Sequence, residues 1–138
     1  MTWFFDGGPW VLGIALTDAL LGTLLAMALL LAGISRLSPA VVWPARIATG
    51  LLLLATVLPA LEGIVGWRLG LAMMEQALEH ASPEHVAPMR EVGERIAAYP
   101  LWFGLSSSAV LMAFGLVDVV VAFASGPSAP RGRGPTEL

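Results

Sequence analysis

An all-α integral membrane protein, with three transmembrane helices and a short amphipathic helix in an outer loop, is the fold this sequence predicts, on three observations. Of 138 residues, 57% are hydrophobic and only 12% charged, and the mean hydropathy of +0.82 lies outside the usual balance of a soluble domain. Three apolar runs are each long enough to cross a hydrocarbon core of roughly 30 Å. Five of the ten acidic residues and both histidines lie in one polar segment, from Glu75 to Tyr99. The length suits one transmembrane domain over residues 1–125, followed by a tail over 126–138.

The first span covers about residues 10–34, in PWVLGIALTDALLGTLLAMALLLAGI, interrupted only by Thr17 and Asp18. No Lys or Arg precedes it and no small-residue cleavage site follows at signal-peptide distance, so it is expected to stay in the mature protein. In the connector SRLSPAVVWPAR, Pro39 and Pro44 disfavour a continuous helix, and Arg36 and Arg46 add positive charge. The second span is placed at about 46–70, starting after Pro44, where a proline in the first turn is tolerated. Its apolar run is longer than one crossing requires, and Pro59 predicts a bend.

The outer loop, 74–99, sets Glu75, Glu79, Glu84, Glu91 and Glu94 against Arg90 and Arg95. Ser82-Pro83 and Pro88 are expected to break it into short pieces, with an amphipathic helix from about Pro88 to Ala98 that aligns Met89, Gly93 and Ile96. The third span covers about 101–124. The Gly/Pro-rich tail SGPSAPRGRGPTEL cannot build a core and is expected to be disordered.

Orientation follows from the arginines near span ends. Arg36 and Arg46 flank the first loop, Arg131 and Arg133 lie in the tail, the N-terminus offers only Asp6, and the second loop is net acidic. The positive-inside rule then places the N-terminus outside, the first loop inside, the acidic loop outside and the C-terminus inside. Trp3, Trp10, Trp43, Trp67, Tyr99 and Trp102 fall near span ends, as an interfacial aromatic belt requires.

Four ionisable residues lie within the apolar runs: Asp18, Glu62, Arg68 and Asp118. A charge at mid-bilayer costs at least about 2.5 to 3.5 kcal/mol, so each is expected to face protein or water and to be paired. Asp18 and Arg68 are near enough in depth to be partners, and Arg36 or Arg46 is the nearer cation for Asp118. Three readings stay open: structural interhelical pairs, an ion or proton path that also uses Ser107 and Ser108, or side chains that snorkel to the interface.

Small residues mark the packing faces. Gly63, Gly66 and Gly70 recur on the second span and Asp18, Gly22 and Ala26 on the first; Gly104, Ser108, Leu111, Gly115 and Asp118 share a face about 80° wide on the third. Such stripes let helix backbones approach closely where lipid removes the hydrophobic driving force, and they predict a homo-oligomer.

The chain has no cysteine, which excludes disulfides and thiolate chemistry. His80 and Glu84 are four residues apart, but Ser82 and Pro83 interrupt the helix that would align them, so no metal site is expected. No phosphate loop, nucleophile elbow or zinc motif occurs, and the basic residues are too few for nucleic acid. Neither an enzyme nor a cofactor is expected.

The assembled pattern resembles the MotA/TolQ/ExbB proton-channel family. FFDGGPWVLGIALTDALL is similar to the family's Gly-Gly-Pro opening into a first helix, PALEGIVGWRLGLAMMEQAL to its Pro-x-x-Gly-x-x-Gly-x-x-x-Gly core helix, and GERIAAYPLWFGLSSSAVLMAFG to its last helix. In the family a pore-lining Thr follows the middle Gly of the core helix; here that position is Trp67, followed by Arg68. A second pore Thr falls near Pro100 or Leu101. The resemblance implies a bacterial inner-membrane subunit, embedded in lipid, that self-associates, holds a single-span partner helix and moves protons along Asp18, Glu62 or Asp118. The alternative is a non-conducting scaffold that recruits a partner through its acidic outer loop.

Overall fold

The computed structural model describes residues 8–35 and 39–124. They form α1 (Gly8–Ser35), a short 3-10 turn (Pro39–Val41), α2 (Val42–Ala55), α3 (Leu58–Leu78) and α4 (Pro83–Ala124), and no strand occurs among the described residues. Gly8–Ile34, Val42–Leu78 and Pro83–Ala124 are each long and apolar enough to cross a membrane, α2 and α3 being the two halves of the middle stretch. Large apolar side chains face outward: Leu12, Leu16, Leu30, Leu54, Phe114 and Val120 are all exposed. Water penalises that arrangement by about 25 cal/mol per Å² of apolar surface, and hydrocarbon does not. This is the surface of a membrane protein.

The interior is built from small residues. α3 and α4 run antiparallel as the most extensively packed pair, and α1 lies across both. Each of α3 and α4 carries a proline followed four residues later by a glycine, Pro59 with Gly63 and Pro100 with Gly104, and the two units meet reciprocally. A Cβ on Gly63 would stand 2.6 Å from the Pro100 carbonyl oxygen, and a Cβ on Gly104 would collide with the Pro59 carbonyl oxygen. Backbone at this range makes Cα–H···O contacts that no larger residue permits. The seam continues outward, Gly66 meeting Pro100 and Trp10, and Gly70 meeting Ala97. On α4 the buried positions Ala97, Pro100, Gly104, Ser108, Leu111, Gly115, Asp118 and Ala122 form one stripe, which contains the face read from the sequence.

The break between α2 and α3 has a local cause. Pro59 has no N–H to offer Ala55, so the ladder tightens: Thr56 donates its N–H to Leu52 O at 3.1 Å and to Leu53 O at 3.3 Å, and its hydroxyl donates to Leu53 O at 2.7 Å. Near the start of α3 the Ala60 N–H lacks an intrahelical acceptor and donates to Ser108 Oγ across the seam at 2.9 Å. Ser108 is therefore a cap for a neighbouring helix.

The loop expectation changes most. Residues 88–98 are not a separate short helix; they belong to α4, which begins at Pro83 and carries Pro88 and Pro100 inside it. Pro88 lies close to the helix start, where few ladder bonds exist to lose, and Pro100 is held by its contacts with Gly63 and Gly66. Tertiary packing thus outweighs the local tendency of proline to end a helix. α3 likewise continues to Leu78, so most of the 74–99 segment is an α-helical hairpin. Trp3, Asp6, Arg36, Arg131, Arg133 and the 126–138 tail lie outside the described residues.

Candidate functional site: a groove between α1 and α4

Where α1 crosses α4 the two helices leave an open groove. One recess of about 250 Å³ is lined by Asp18, Ser106, Ser107, Val110 and Leu111. A second, of about 360 Å³, is lined by Gly22, Leu25, Ala26, Leu29, Val110, Leu111, Phe114 and Asp118. Val110 and Leu111 belong to both, so the two recesses adjoin along the protein's flank. Its α1 wall is the Asp18, Gly22, Ala26 stripe, and a Cβ on Gly22 would meet nothing within 4 Å. The wall stays open because Leu21 and Leu25, on the adjoining face of α1, take up the packing with Leu111.

A carboxylate lines each recess, Asp18 the first and Asp118 the second. Asp118 is only 4% exposed, and its Oδ2 is buried without a hydrogen-bond partner. Asp18 is half-buried with its Oδ1 in the same condition. From Ser107, level with Asp18, to Asp118 is eleven helical residues, or about 16 Å of rise. Leaving a buried polar atom unpaired costs about 1–3 kcal/mol, and more when it is charged. Two such atoms in one groove mark a place where something polar is wanted.

Glu62 is treated differently. Thr17 donates its hydroxyl to Glu62 Oε1 at 2.9 Å, tying α1 to α3, while Oε2 is buried and unpartnered. Thr17 is the hydrogen-bond partner of Glu62 that the sequence reading missed; its only signal was its place beside Asp18 in an apolar run.

The expected cation partners are elsewhere. Arg68 is exposed, with its guanidinium 5.4 Å from the Trp67 ring. It lies six residues beyond Glu62, about 9 Å further along α3, whereas Thr17 places Asp18 level with Glu62. Arg46 sits 4.9 Å from the Phe123 ring and donates Nε–H to Ala122 O at 3.5 Å. Among the described residues the ion pair formed is His85 with Glu84, so Asp18, Glu62 and Asp118 pair with no cation there. The structure brings Asp18 and Ser107 to one recess and places Asp118 in the recess that Gly22, Ala26 and Leu29 also line, but leaves Arg68 apart from all of them.

The glycines divide in the same way. Gly63, Gly66, Gly70, Gly104 and Gly115 are consumed in contacts within the chain, Gly115 against Leu53, so the homo-oligomer expected through these glycines would need another face. Gly22 alone of the six remains open. No group of three His, Asp or Glu side chains that could hold a metal occurs among the described residues; His85 Nδ1 lies 2.9 Å from Ser82 Oγ and His80 Nδ1 3.1 Å from Gln76 O.

The geometry defines a class, an all-helical protein with three helices long and apolar enough to cross a membrane and a lateral groove that carries carboxylates. Comparison with protein-family models, with curated proteins and with solved structures finds no match for the chain.

Proposed function

We propose that this protein is a non-enzymatic membrane subunit, similar in plan to the stator-type proton-channel subunits, that self-associates and holds the transmembrane helix of a partner. The observation that carries the reading is the α1–α4 groove, with its buried, unpartnered Asp118 and its open Gly22 wall. Lipid chains fill apolar space but offer a carboxylate nothing, whereas a helix brings both backbone fit and polar side chains. A photo-crosslinking residue at Phe114, on the groove, should form a protein adduct of defined mass in native membranes. The adduct should be missing at Leu116, on the opposite face, and should disappear when Gly22→Leu fills the groove. Lipid adducts alone at Phe114 would refute the reading.

Conduction is decided separately. If the carboxylates serve an ion path, proteoliposomes of the wild type with its partner acidify after a pH step, and Asp118→Asn brings the rate to that of empty vesicles. A wild-type rate equal to that of empty vesicles makes the subunit a scaffold. One feature favours the scaffold reading: the α3–α4 hairpin carries an apolar recess of about 470 Å³ lined by Met74, Leu78, Pro88, Met89 and Val92 among others, on the helices that also carry Glu75, Glu79, Glu91 and Glu94.

A further inference from the structure

We infer that the occupant of the α1–α4 groove is a transmembrane helix of another protein that carries a basic side chain, Lys or Arg, at the depth of Asp118. This rests on the partner-helix reading above and names the chemistry of the partner. Three observations carry it. Asp118 is almost wholly buried and has an unsatisfied oxygen in a groove whose described lining contains no cation. Arg46, the nearest described arginine in the sequence-based pairing, is occupied by Phe123 and Ala122 O. The open Gly22 and the small Ala26 let a third helix backbone come close enough for a long basic side chain to reach a carboxylate below the surface.

A second copy of this chain is the poorer occupant. A two-fold contact through the groove sets carboxylates against carboxylates, and a like-charge pair at this depth has no compensation. A basic residue opposite Asp118 satisfies charge and hydrogen bonding together. A further donor about eleven residues away on the same partner helix, one per about 16 Å of rise, falls opposite Asp18.

The test uses the full chain in lipid vesicles and synthetic single-span Leu/Ala helices as probes, with association read by energy transfer between dyes. The probes carry Lys, Leu or Asp at the same position, stepped along the inner half of the span. At the best position the Lys helix should associate at least tenfold more tightly than the Leu helix, and Asp118→Asn should erase the difference without changing the Leu helix. Gly22→Leu, which has room for its side chain, should weaken all the probes. Equal binding of the Lys and Leu helices overturns the basic partner while leaving a helix-holding groove. Preference for the Asp helix overturns it in favour of a carboxyl–carboxyl contact, and failure of every probe removes the groove reading itself. Arg36, the rival for Asp118 that the sequence names, lies outside the described residues, as do Arg131 and Arg133: Arg36→Gln, and Arg131→Gln with Arg133→Gln, should leave Lys-helix binding unchanged, and a gain on either substitution means that an arginine of the chain already holds Asp118 and overturns the inference.

Discussion

Thr17 and Glu62 show how much one hydroxyl decides at the residue scale. The Thr17 hydroxyl is the hydrogen-bond donor that Glu62 has among the described residues, and the second carboxyl oxygen is already without one. Interhelical hydrogen bonds in membrane proteins are worth on average about 0.6 kcal/mol and at most about 1.7, but an abandoned carboxylate adds its own desolvation cost. Thr17→Val should therefore lower the unfolding free energy by about 1–2 kcal/mol in mixed micelles, and Thr17→Ser should stay within about 0.5 kcal/mol of wild type. Adding Glu62→Leu to Thr17→Val should recover much of the loss, because the polar group that needed a partner is gone. An unchanged Thr17→Val protein would show that water or lipid headgroups already serve Glu62. The sequence could locate these ionisable residues in the apolar runs but not their partners. Partnership depends on the rotation of each helix about its axis, and hydropathy is blind to rotation when a helix is apolar all round.

The reciprocal Pro/Gly units fix the α3–α4 pair at the scale of the element. Adding one methyl at Gly104 or Gly63 drives a side chain into the backbone carbonyl of Pro59 or Pro100, and backbone cannot swing aside as a flexible side chain can. Gly104→Ala should accordingly destabilise the chain by about 2 kcal/mol or more, at the upper end of overpacking costs. Gly22→Ala, facing open space, should be neutral or slightly stabilising, since Ala is the better helix former by roughly 0.5–1 kcal/mol. Thermal melts in one detergent compare the two, and equal effects would mean that α3 and α4 are not in this contact. By the same geometry Gly66→Leu should lower the stability of the isolated chain, rather than only altering its oligomeric mass. The seam was partly legible: the glycine spacing and the α4 face stand in the sequence, and so does the matched pair PALEG and PLWFG. What hid the pairing was Pro100, which reads as a boundary because a lone proline in a helix costs a bond, and only a neighbouring glycine shows where that cost is offset.

For the whole molecule, the question is where the membrane sits on helices longer than it needs. α4 has 42 residues, about 63 Å at 1.5 Å per residue, twice the roughly 30 Å of a hydrocarbon core. Its apolar part is the C-terminal half, and the N-terminal half carries Glu84, Arg90, Glu91, Glu94 and Arg95, all exposed. If the apolar half of α4 spans the bilayer, the α3–α4 hairpin stands out of it as paired helices rather than as a loop lying on its surface. Two single cysteines in this Cys-free chain test the arrangement, one at Ser82 at the hairpin tip and one at Ala40, between α1 and α2. If the chain crosses three times these sites fall on opposite sides, and the positive-inside rule applied to the arginines expects the Ala40 side in the cytoplasm. A membrane-impermeant maleimide added to intact cells should label the Ser82→Cys protein quickly and the Ala40→Cys protein only after the membrane is opened. The reverse pattern would invert the orientation and leave the fold intact. Labelling of both from one side would mean that α2 and α3 do not cross together, so that the middle span, the groove depth and the pairing of Asp118 with an inner-half partner residue would all have to be redrawn.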